Sequence, residues 1–79
     1  MVLSNYLKFL IEDYNPKALV ELQRIGIEDG TRVSVFWDGK YRKGKVIVRG
    51  EDPENHPVIW FQGRGTLVPL FEVDCVEVL

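Results

Sequence analysis

From Thr31 onward the apolar residues of this chain fall on every second position, and the first such run is cut after Trp37 by Asp38-Gly39. Alternation of period two marks half-buried strands, and Asp-Gly between two alternating runs is a strong signal for a two-residue hairpin turn. Thr31 to Trp37 is therefore expected to fold back as Lys40 to Val48, with Gly44 a bend or bulge in the returning strand. Arg49 to His56 is polar, contains Pro53 and Asn55, and reads as a loop. A third strand is expected over Val58 to Gln62, turned by Gly63-Arg64-Gly65 into a fourth over Thr66 to Leu70. Pro69 suits only the edge or the end of that strand. Phe71 to Val73 fits one 3-10 turn and Cys75 to Val78 a fifth strand. Five short strands with tight turns, the second one long, describe a small barrel.

Before Gly30 the period is helical. Ser4 can cap a first helix with Tyr6, Leu7, Leu10 and Ile11 on its apolar side and Glu12 and Asp13 on its wet side. Tyr14-Asn15-Pro16 interrupts it, because the residue before a proline is pushed out of the helical region. Asn15 as cap and Pro16 as first helical residue then restart a helix that runs to Ile25 and stops at Gly26. Its apolar stripe is Ala18, Leu19, Leu22 and Ile25. Helices this short do not stand alone in water, so both must lie on the strands. A chain of 79 residues, 46% hydrophobic and 28% charged, has room for one core and is not disordered. The expected organisation is a single domain: residues 1–29 as a helical cover and residues 30–79 as the barrel.

The net charge of -2 hides a pattern. Acids dominate before residue 31 and after residue 50, whereas Lys40, Arg42, Lys43, Lys45 and Arg49 are relieved only by Asp38. That basic stripe is a candidate docking surface for an acidic protein or for phosphates. The lone Cys75 lies in an apolar run and cannot form an internal disulfide, which fits a reducing compartment. No basic leader precedes an apolar stretch and no apolar run reaches membrane-spanning length. A cytoplasmic protein without membrane contact is expected.

The punctuation of residues 30 to 78 resembles that of Tudor and related Agenet-type domains. These open with a glycine (here Gly30), continue in an alternating strand ending in tryptophan (Trp37), turn at an Asp-Gly pair (Asp38-Gly39) and return through a small residue (Gly44). Val58 to Leu70 followed by Phe71 to Val76 is similar to their third and fourth strands and closing turn. The resemblance implies a mainly β fold: a five-stranded SH3-like (Tudor-like) barrel, preceded here by two short α-helices. It also implies an aromatic cage at one barrel end, which in many Tudor domains receives a methylated cation. Trp37 and Phe61 fit two walls of that cage. Arg42 and Leu67 stand where further aromatic walls belong, and Gln62, Gly63 and Arg64 replace the usual acids. A guanidinium beside the cage would repel a cationic ligand, so no methyl-lysine reading is expected.

Strand parity sorts the remaining candidates. With Val33, Val35, Trp37, Gly44, Val46, Val48, Ile59 and Phe61 facing inward, the exterior carries Phe36, Tyr41, Ile47, Val58 and Trp60. That is too much apolar surface to leave wet, and the two helices are expected to cover it. Left uncovered, Phe36, Tyr41 and Trp60 would offer a surface for self-association. The candidate binding residues are thus Trp37, Tyr41, Arg42, Lys43, Lys45, Trp60, Phe61 and Arg64. His56 beside Glu51, Asp52 and Glu54 matches no calcium or zinc spacing. One Cys and one His about twenty residues apart signal no nucleophile–base pair, and Gly63-Arg64-Gly65 links strands rather than opening a helix on a phosphate. The chain reads as a non-enzymatic interaction module without metal or cofactor, engaging a protein or peptide, with nucleic acid as the alternative partner.

Overall fold

The computed structural model describes all 79 residues. Two helices, α1 (Asn5–Glu12) and α2 (Lys17–Arg24), precede strands β1 (Arg32–Trp37), β2 (Lys40–Arg49), β3 (Val58–Gly63) and β4 (Thr66–Pro69). A 3-10 turn at Leu70–Glu72 then leads into β5 (Cys75–Val78). The helix ends follow local chemistry. Ser4 Oγ accepts the Leu7 N–H at 3.1 Å, and Asn15 Oδ1 accepts the Lys17 N–H at 2.9 Å. The α2 exit is a Schellman closure, with Ile27 N–H donating to Leu22 C=O at 2.9 Å and Gly26 N–H to Gln23 C=O at 3.0 Å.

All strand pairs are antiparallel, in the order β4-β3-β2-β1-β5. Asp38 and Gly39 both have positive φ, 52° and 75°, as the mirror-image hairpin turn demands. This turn sets Trp37 opposite Lys40 and, five pairs on, Arg32 opposite Lys45. No ladder joins β4 to β5, so the sheet is open rather than a closed barrel. Nor is β2 bulged at Gly44, which pairs in unbroken register with Val33 on one side and Gly63 on the other. The glycine answers a different need. A Cβ there would collide with the Gln62 carbonyl oxygen and come within 2.8 Å of the Phe61 ring.

The helices are not where the exterior apolar residues called for them. Leu7, Leu10, Ile11, Ala18 and Leu22 join one buried cluster with Val33, Val35, Val46, Ile59, Phe61, Val68 and Val76. These strand residues all belong to the inward parity, so the helices close the inner face. An open sheet of five short strands cannot seal its own concave side, and the strongest apolar stripes go to that unsealed core. On the outer face, cross-strand pairing covers part of the apolar surface instead. Trp60 stands opposite Ile47, which is buried, and the Phe36 and Tyr41 rings lie 4.9 Å apart in a tilted pair. Tyr6, expected on the buried stripe of α1, is exposed.

Candidate functional site

The structure divides the candidate residues between the two faces of the sheet. Arg42 shares the parity of Gly44 and Val46, and its half-buried side chain turns inward, away from the basic stripe. The guanidinium carbon lies 5.0 Å from the Trp37 ring centroid; Nε donates to Trp37 C=O at 3.4 Å and Nη1 to Thr66 Oγ1 at 3.3 Å. Trp37 is half-buried against the core, and Phe61 is fully buried with its ring over Gly44 and Gly63. The Trp37 ring therefore already carries a cation of the chain's own. Trimethyl-lysine and unmodified lysine peptides are expected to give indistinguishable NMR titrations at the Trp37 indole signal. A saturable shift with the methylated peptide alone would establish a methyl-lysine site.

The outward parity brings the other residues together. Arg32, Lys43, Lys45, Gln62 and Arg64 surround an open depression of about 340 Å³, with Gly44 and Gly63 completing its lining. Register explains the convergence: Lys45 is flanked by Arg32 on β1 and Gln62 on β3, while Arg64 caps the β3–β4 turn. No acid lines the depression. The two ion pairs of the molecule, Arg24–Glu21 and Arg49–Asp29, lie elsewhere and leave its four cations free. On this face the strands carry a single carboxylate, Glu77, separated from Lys43 by Ser34 on β1. Tyr41, 76% exposed, and the half-buried Trp60 flank the cations along β2 and β3, and Leu67 is exposed beside Gln62.

Arg32 directly opposite Lys45 is a like-charge cross-strand pair, an arrangement that costs a few tenths to about 1 kcal/mol of stability. An anion placed between them would turn that repulsion into attraction. Guanidinium and ammonium groups around one shallow basin suit carboxylate or phosphate oxygens, and the Gln62 amide adds a neutral donor. The sequence stripe named Lys40 and Arg42 with Lys43 and Lys45, and it omitted Arg32 and Gln62. Arg32 follows from the hairpin alone, since a two-residue turn at Asp38-Gly39 sets it opposite Lys45 while alternation along β2 separates Arg42 from Lys43; Gln62 follows only from the β2–β3 register.

No helix is long and apolar enough to cross a membrane. No protein-family model matches the chain, and no curated protein or solved structure matches it either.

Proposed function

We propose that this protein is a non-enzymatic interaction module whose outer sheet face holds an acidic segment of a protein partner. The observation that carries the reading is the basic depression: four unpaired cations, converging from β1, β2 and the β3–β4 turn, beside an exposed tyrosine. Four of the ten basic residues line it, and the remaining six stand against twelve acids. Such a charge distribution orients an acidic partner onto one face and discourages it elsewhere. The strand order, a four-strand meander with the fifth strand returning to β1 after a 3-10 turn, supports a Tudor-like SH3 barrel opened between β4 and β5. An unpaired, half-buried Cys75 supports a cytoplasmic setting.

Nucleic acid is the second reading, favoured by Tyr41 and Trp60 beside the cations, an arrangement on which bases stack in other small barrels. A polyanion wants a continuing basic track, whereas Arg42 is turned inward and Arg49 is engaged with Asp29. Four cations grouped in one shallow basin fit a short acidic segment better.

The two readings separate in an NMR titration with a glutamate-rich peptide and, in parallel, with a thymidine oligonucleotide. Amide shifts around Lys43, Lys45 and Gln62 are expected with the peptide, and Lys43→Glu combined with Lys45→Glu is expected to weaken it at least tenfold, about 1.4 kcal/mol. Tighter, steeply salt-dependent binding of the oligonucleotide would replace the protein reading with the nucleic-acid one.

A further inference from the structure

Helix α1 has a second face that the core does not use. Leu7, Leu10 and Ile11 turn inward, while Tyr6 and Phe9, one turn apart, are 58% and 60% exposed. Phe9 shares a shallow surface depression with Glu12 and Asp13, and Tyr6 shares another with the exposed Val2 and the self-neutralising Glu21–Arg24 ion pair. Neither Glu12 nor Asp13 is paired within the molecule. The helix then closes on Tyr14, with Tyr14 N–H donating to Ile11 C=O at 3.2 Å and Asn15 N–H to Leu10 C=O at 3.0 Å. Tyr14 does this at φ 54°, in the left-handed region where glycine fits freely and a bulky residue is strained. Its side chain is itself 52% exposed. The closure of α1 accounts for that backbone conformation, and the ring it leaves on the surface is a third exposed aromatic along α1 and its closing turn.

This aromatic, acidic face is the chemical complement of the outer sheet face. One offers Tyr6 and Phe9 beside two free carboxylates; the other offers Tyr41 and Leu67 beside four free cations. The core cluster lies between them, since α1 packs on the inward side of the sheet. The two faces of one molecule therefore cannot meet, but those of two molecules can. We propose that a second copy of this chain docks α1 onto the basic sheet face, so that the protein associates head to tail. The proposal rests on the reading of the basic depression as a seat for acidic protein surface and names one such surface. Because each copy uses a different patch from its neighbour, the contact does not close on itself as a twofold dimer would, and both ends stay open for further copies. Exposed charge pairs contribute modestly and are screened, so the association grows with protein concentration and fades with salt.

Sedimentation velocity on the full chain tests this. At low salt the weight-average mass is expected to rise with concentration past that of a dimer, and at high salt to return to one chain. Lys43→Glu with Lys45→Glu disables the sheet face and leaves α1 intact; Tyr6→Ser with Phe9→Ser disables α1 and leaves the sheet face intact. Each double variant alone is expected to be monomeric. Mixed, they are expected to form a one-to-one pair and nothing larger, because only one working interface remains. A wild-type chain that stays monomeric at low salt would overturn the proposal, as would self-association of the sheet-face variant, which would mean a symmetric helix contact. The glutamate-rich peptide separates self-association from acidic-segment binding in general. Peptide binding by a chain that never self-associates removes this inference and leaves the docking face standing; absence of peptide binding removes the docking face itself.

Discussion

Removal of residues 1–29 is expected to abolish the cooperative unfolding transition of the sheet rather than to release a free-standing barrel. Leu7, Leu10, Ile11, Ala18 and Leu22 are buried against the inner face, and without them Val33, Val35, Val46, Ile59 and Phe61 would face water. Fully burying one such side chain contributes about 1.5–3 kcal/mol, while a small domain has only about 5–15 kcal/mol of net stability. A milder version of the same test is Leu22→Ala. Leu22 is almost completely buried, and its loss should cost about 2–5 kcal/mol in urea denaturation followed by tryptophan fluorescence. A fragment of residues 30–79 that melts cooperatively near the temperature of the intact protein would show that the sheet seals itself.

Gly44→Val is expected to be as damaging, through one side chain rather than twenty-nine residues. The Cβ of any residue at position 44 would meet the Gln62 carbonyl and the Phe61 ring. The carbonyl belongs to the backbone of β3, which is held in register with β2 from Gly44 to Arg49, so it cannot swing aside alone. Relief requires parting β2 from β3 or expelling the fully buried Phe61. The expected loss is at or beyond the upper end of the ~1–3 kcal/mol typical of overpacked cores. Lys43→Ala, one residue away on the exposed side of the same strand, should change stability by no more than about 0.5 kcal/mol. Thermal melts of the two variants side by side give the comparison, and equal melting temperatures would contradict the observed packing around Gly44.

The local turns were legible in the sequence because single residues decide them. Asp38-Gly39 makes the hairpin, Ser4 and Asn15 cap the helices, Gly26 ends α2 and Pro69 ends β4. Strand parity was legible too, and it carried the inward set Val33, Val35, Val46, Ile59 and Phe61 correctly. Which side of the sheet the helices take was not. An amphipathic stripe says that a helix needs an apolar surface, but an inner and an outer apolar surface were both on offer. The choice depends on whether the sheet closes, a long-range property of β4 and β5 that no local signal carries. The site followed the same divide. Lys43, Lys45 and Tyr41 were readable from one strand, and Arg32 from the hairpin register. Gln62 and Arg64 come to the depression only through the pairing of β2 with β3, across a loop whose length sets no register. Arg42 belongs to the stripe by charge alone; its spacing two residues before Gly44 sets it beside Trp37, and there the structure has it.

An open sheet has two free edges, and unpaired N–H and C=O groups along an edge are a template for adding strands from other molecules without limit. Here both edges are poor templates. On β5 the Val76 N–H donates to the Met1 carbonyl at 2.8 Å, so the N-terminal segment occupies the outer side of that strand. The other edge, β4, is four residues long and ends in Pro69, which has no N–H to offer. A strand that short, stopped by a proline, gives an incoming backbone too few hydrogen bonds to hold a register. The molecule can therefore present charged and aromatic side chains to a partner at high local concentration while resisting the backbone-to-backbone accretion that leads to amyloid.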